Sequence, residues 1–203
     1  MSLHGSMSNW FPIPDPPLVH PAGHIVLRPW LGEDHRALVE AWMDPDIAAH
    51  CGVPPDAGPE RAAAWLAGWS DRAAGGSSLD LVVADALTEE VLGEVGISPF
   101  RVSPNGAAAP GVLELGWWIG APHRSAGRAA TAVSLLTDWA LDALGAERVV
   151  ARIRPGHLAS EAVATSAGLT RRGRLDDHHA LWVRAGPPRS TRLWDGSSRR
   201  RRA

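Results

Sequence analysis

The chain has 203 residues, of which 45% are hydrophobic and 21% charged, with a formal net charge of −2. That length and balance describe one globular domain with room for a proper core, and no apolar run approaches the ~20 residues of a membrane-spanning helix. A single cysteine, Cys51, excludes an internal disulfide and fits a reducing cytoplasm, and no basic stretch with an apolar run behind it marks a secretory start.

Residues 1–23 are rich in proline and small polar residues without a period, which predicts a mostly irregular leader. Met7, behind Met1–Ser6, reads as a second start preceded by a cloning scar. Apolar patterning then predicts a strand at 24–28 and helices at about 33–43 and 59–73, with Glu33 and Asp34 well placed in the first helical turn. Strands are expected at 79–85, 91–99 and 112–119, the first two joined by a turn near Thr88–Glu90. A long helix at 126–144 carries Ala129, Val133, Leu136 and Ala140 at helical spacing, and Gly145 stops it. A strand at 148–153, a short helix at 159–167 and strands at 170–174 and 179–184 complete a domain spanning 24–186. Hairpins plus one strand–helix–strand crossover make an α/β (α+β mixed) fold, a mixed, mostly antiparallel sheet flanked by helices. From 187 to 203 the chain turns Pro-, Ser- and Arg-rich and predicts a disordered tail. Its six Arg and one Asp give +5 and leave −7 on residues 1–186. Such a tail can touch RNA, but a solvated end is the better explanation, so nucleic acid is not an expected partner.

The stretch with most to say about function is Glu114–Thr131, ELGWWIGAPHRSAGRAAT. It reads as a buried strand, a short loop, and the start of the long helix. Unpaired amides and a partial positive charge at a helix N-terminus attract phosphate, and small loop residues allow close approach to the backbone. Arg124-x-x-Gly127-x-Ala129 is neither a Walker loop nor a complete dinucleotide fingerprint, and a tight turn without a ligand remains the alternative.

In this context ELGWWIGAPHRSAGRAATAV resembles the acyl-CoA-binding segment of the GNAT superfamily of N-acetyltransferases, whose loop reads Arg/Gln-x-x-Gly-x-Gly/Ala. The RimJ/RimL-like branch is the closer resemblance. HIVLRPW (24–30), WMDPDIAAHCG (42–52), VLGEVGI (91–97) and PGHLASEAVATSAGL (155–169) resemble further segments of that branch in the same order. The resemblance implies a GNAT fold whose sheet is splayed between the strands at 112–119 and 148–153, admitting the pantetheine arm of acetyl-CoA or another acyl-CoA. It implies cofactor contacts from Trp118, Ile119, Arg124, Ser125, Ala126, Gly127, Arg128, Ala129, Ala130, His157 and Ser160. Arg124 and Arg128 would add charge to the backbone cradle, although Arg128 can equally face solvent. A homodimer is compatible with this fold.

Acyl transfer to an amine needs a proton acceptor for the amine and a proton donor for the departing thiolate. Period-2 alternation puts Glu114, Gly116 and Trp118 on one strand face, so Glu114 is a candidate base, or else a charge fixed by an arginine. Glu94 on the preceding strand is a second candidate. Many GNAT enzymes use a tyrosine as the acid, and this chain has no tyrosine. Ser160 matches a serine given that role in the RimL-like branch, and it also stands where it could N-cap a helix. His157 replaces the asparagine that usually contacts pantetheine. Trp30, His50, Trp117 and His179 are the expected acceptor-side residues, while Trp42, Trp65, Trp69 and Trp139 sit at helical spacings and belong to the core. The histidines show no metal-ligand spacing, so no metal is expected. The reading is an acetyl-CoA-dependent N-acetyltransferase acting on a primary amine, a protein N-terminus or a small amine, in a ternary complex. The rival is a GNAT-fold acyl-CoA sensor or scaffold with little catalysis.

Overall fold

Alternating apolar residues at 79–85 and 91–101 build two central strands of an eight-stranded sheet. In the computed structural model, residues 11–21, 24–103 and 105–187 are described. The strands are β1 (Leu18–Val19), β2 (Ile25–Arg28), β3 (Leu79–Asp85), β4 (Val91–Arg101), β5 (Ala108–Ile119), β6 (Arg148–Ile153), β7 (Thr170–Arg174) and β8 (Ala180–Ala185). Their order across the sheet is β1-β2-β3-β4-β5-β6-β8-β7. Every neighbouring pair is antiparallel except β5 and β6, which run parallel, as a strand–helix–strand crossover requires. The cloning scar and all but Pro187 of the Arg-rich tail lie outside the described residues.

The helices are α1 (His35–Trp42), α2 (Pro45–His50), α3 (Pro59–Ala67), α4 (Trp69–Ala74), α5 (Arg128–Asp142) and α6 (Leu158–Ser166). The crossover helix α5 buries Val133, Leu136 and Ala140 and packs across β2, β4, β5 and β6. It meets the apolar sheet face, where Val83, Val95, Ile97, Leu115 and Val149 are buried. Aromatic residues cover part of the opposite face. Trp30 meets Trp65 edge-on at 5.8 Å and Trp118 at 6.3 Å, and Trp42 packs edge-on against Trp65 at 6.3 Å. Trp42 and Trp69 are buried, whereas Trp65 and Trp139 pack half-buried on the core.

Two departures from the sequence reading have local causes. The helix expected over 59–73 breaks at Gly68, where the Arg72 guanidinium takes the Trp65 carbonyl at 2.8 Å in place of the next helical amide. The segment between the helices expected at 33–43 and 59–73 contains α2, capped by Asp44 Oδ1 at 2.8 Å from the Asp46 amide, with Pro45 in the first turn. In the described part of the leader, Leu18 and Val19 pair with Leu27 and Val26.

The parallel pair that should be splayed is short. β5 and β6 are in register only at Val112–Arg148, Leu113–Val149 and Glu114–Val150. Beyond Glu114 the two strands part, and most of the candidate site residues line cavities at that gap.

Candidate active site

Strand pairing decides which side chains share a face. Asp80 pairs with Gly96, which pairs with Gly116; Glu94 pairs with Trp118, and Ser98 with Glu114. Asp80, Glu94, Glu114, Gly116 and Trp118 therefore project to one side, over a cavity of about 420 Å³. Arg152, Ser160 and His179 complete its wall. Gly96 is needed here, since a Cβ would stand 2.7 Å from Asp80 Oδ1.

The three carboxylates differ in their partners. Glu114 lies against Arg152, whose Nε is 2.8 Å from Oε1 and whose terminal nitrogen is 3.1 Å from Oε2. Asp80 accepts from Ser78 Oγ at 2.7 Å and faces Arg72 Nε at 3.7 Å. Burial raises its pKa against the pull of both. Glu94 accepts the Trp30 indole N–H on Oε2 at 3.0 Å and the Trp118 indole N–H on Oε1 at 3.1 Å. Burial pushes it up to about 8, Asp80 adds like-charge repulsion, and the indoles and Arg72 oppose both. Trp30 is thus no wall residue as expected. It is buried behind Glu94 and holds that carboxylate.

A second cavity of about 710 Å³ opens on the α5 side of the gap. Its floor is the turn leading into α5, where Ser125 and Gly127 both have positive φ, 66° and 73°. Left-handed backbone at a non-glycine residue carries strain, and such turns aim successive amides at one point. Gly127 is the N-cap of α5, with no side-chain cap on the first-turn amides. Trp118, Ile119, Ser125, Gly127, Arg128, Ala129 and Ala130 line this cavity, but Ala126 does not. Arg128 donates to the His123 carbonyl at 2.9 Å. Arg124 also lines it, yet all three of its nitrogens have protein partners: Ile119 O at 2.9 Å, Asp46 at 2.7 Å and Asp44 at 2.6 Å. Its guanidinium straps α2 to the turn.

Ser160 is not the helix cap. α6 starts at Leu158, and His157 caps it by accepting the Ser160 amide on Nδ1 at 3.3 Å. That bond leaves the proton of a neutral ring on Nε2. Burial, then the neighbouring His50 ring at 4.4 Å, lowers the His157 pKa and favours this neutral form. The Ser160 hydroxyl makes no hydrogen bond within the described residues.

The two cavities meet. His50, Cys51, Trp117, Trp118 and Ser160 line both. The Cys51 Sγ lies 3.6 Å from the Trp117 carbonyl, and burial pushes its thiol up to about 11. It stays a protonated thiol at neutral pH. His179 stands on the sheet-face wall, its Nδ1 3.0 Å from Asp176 Oδ1. Sequence reasoning missed Asp80, Arg152 and α2 with Cys51. Charges interrupting apolar strands and the Asp44–Pro45 cap were the signals available.

Residues 24–170 match the family model of the acetyltransferase (GNAT) domain. The chain is 25% identical over 154 residues to the uncharacterised N-acetyltransferase p20 of Bacillus licheniformis, covering 76% of this chain and 83% of that one. The fold is that of Mycobacterium smegmatis RimJ, solved with CoA-disulfide, at a TM-score of 0.66 and 21% identity over 83% of this chain and 85% of that one. It is likewise that of the Vibrio fischeri ribosomal-protein-S5-alanine acetyltransferase, at 0.67 and 18% identity over 81% and 94%. Both neighbours carry names from the branch that the motifs resemble. With a parted sheet and a family model covering most of its length, this chain belongs to the GNAT family of acetyltransferases.

Proposed function

We propose that the protein transfers an acetyl group from acetyl-CoA to a primary amine by direct attack in a ternary complex. One observation carries this reading. The α5-side cavity and the acidic sheet-face cavity meet at the gap between β5 and β6, with Trp117, Trp118 and Ser160 at the junction. A donor lying in the first and an acceptor in the second bring thioester and amine together there.

Amides from Ser125 to Ala130, at the positive end of α5, take the diphosphate. The Arg124 strap leaves Arg128 as the nearer side-chain cation. His157 Nε2–H faces the pantetheine arm in place of an asparagine, and the free Ser160 hydroxyl protonates the departing thiolate. The amine's proton passes to a carboxylate of the acceptor cavity, with Glu114 and Glu94 both in position. Net negative charge on the body draws a cationic acceptor, a protein N-terminus or a small amine. Composition suits the cytoplasm, and no described helix is long and apolar enough to cross a membrane.

The test is release of CoA thiol when the protein meets acetyl-CoA and a panel of primary amines. Turnover that falls at least about tenfold in Ser160→Ala with CoA affinity retained supports the reading. Binding of acetyl-CoA without turnover on any amine would leave the sensor reading in its place.

A further inference from the structure

Resting on the acetyltransferase reading, we propose that Glu94 is the catalytic residue that receives the acceptor's ammonium and takes its proton. The choice among the three carboxylates follows from their partners. Both Glu114 oxygens face Arg152, and Asp80 has Ser78 and Arg72. No ion pair engages Glu94 among the described residues, yet it is oriented from two sides by indole N–H groups on separate oxygens. An indole donates and cannot accept, so Trp30 and Trp118 fix the carboxylate without relaying its proton. Each oxygen keeps a lone pair for a further donor. Trp118 also walls the α5-side cavity, so the residue that orients Glu94 stands beside the thioester position.

The titratable groups around Glu94 are Asp80 on β3, Arg72 on α4, Glu114 on β5, Arg152 on β6, His50 and the Cys51 thiol at the end of α2, and His179 ahead of β8. Arg72 and Arg152 answer Asp80 and Glu114, so Glu94, once ionised, has one negative charge for one ammonium. A carboxylate lifted towards neutral pH is a stronger base than an ordinary glutamate, as proton removal from an amine requires. The step balances. The ammonium gives one proton to Glu94, and the nitrogen lone pair forms the C–N bond with the thioester carbonyl carbon. The C–S bond breaks with its electrons on sulfur. The second nitrogen proton reaches the sulfur through Ser160, and Glu94 returns its proton to solvent. Amide, CoA thiol and one proton result.

Two measurements test this. In the first, kcat/KM for thiol release is followed against pH with benzylamine, a cation at neutral pH, and hydroxylamine, which is already neutral there. Glu94→Gln should lower the benzylamine value by a factor on the order of 10²–10⁴ and flatten its rise with pH. Hydroxylamine should lose far less, and Glu94→Asp should recover part of the loss. In the second, the indole N–H resonances of Trp30 and Trp118 are followed by NMR without CoA. They should titrate in wild type near pH 8 and move on adding benzylamine, and do neither in Glu94→Gln. A Glu94→Gln protein within about threefold of wild type on benzylamine, or indole signals unmoved by the amine, overturns the assignment. Absence of CoA binding by calorimetry overturns the acetyltransferase reading instead, and the indole titration still decides on Glu94.

Discussion

Gly116 carries no side chain over the gap, and a Cβ added there would meet nothing within 4 Å. Gly116→Val should therefore fold normally, within about 0.5 kcal/mol of wild type by urea unfolding. It should still cut acetyl transfer at least about tenfold, because its methyl groups fill the space between thioester and amine. Unchanged turnover would place the reaction elsewhere. His157→Ala removes the α6 cap and should cost about 0.5–2 kcal/mol, and His157→Asn should restore most of it. Equal melting temperatures for the two variants would contradict the capping role. Glu94 also ties stability to pH. Its folded pKa, about 8, lies above the ordinary 4.5, so the folded protein holds a proton that the unfolded chain has released. Stability is thus full below about 4.5 and falls as pH rises towards 8, by at most about 1.4 kcal/mol per unit from this group. Urea midpoints of wild type and Glu94→Gln should diverge between pH 5 and pH 8, and a constant difference would contradict the shift. At this scale Glu94 was legible as a charge in an apolar strand. Its clamp was not, since Trp30 reaches it from 64 residues away. Nor was the cap at His157, because imidazole is not a usual cap and Ser160 is a usual capping residue near the expected helix start.

Among the elements, α5 and its entry turn were the most legible, because a helix of that length repeats its apolar spacing several times. α2 was hidden by its shortness; six residues hold too little periodicity to read, and only its Asp44–Pro45 start betrayed it. Its position depends on Arg124, whose ion pair with Asp44 is half-sheltered while that with Asp46 is largely exposed and worth little. Arg124→Gln should loosen α2, raising hydrogen exchange at Ile47–Cys51 and weakening CoA binding several-fold, since Ile47, His50 and Cys51 line the donor side. Unaltered exchange at those amides would show that the strap does not hold the helix.

Across the whole molecule, alternation of strands and helices was enough to give a mixed, mostly antiparallel sheet, and the crossover fixed β5 beside β6. The placing of β8 between β6 and β7 was not legible, because strand order at the sheet edge is set by packing between distant segments. The parting of β5 from β6 is a property of the pair, and it was legible through the family resemblance rather than through the residue pattern. These two features give the molecule its two joined cavities, one at the positive end of α5 and one lined with carboxylates. Binding of CoA at that helix end is the most direct measurement. Calorimetry should find one CoA site per wild-type chain and at least about tenfold weaker binding in Gly127→Glu, which sets a carboxylate in the path of the diphosphate on a left-handed residue. No heat with the wild-type protein, or equal affinity in a folded Gly127→Glu variant, would contradict it.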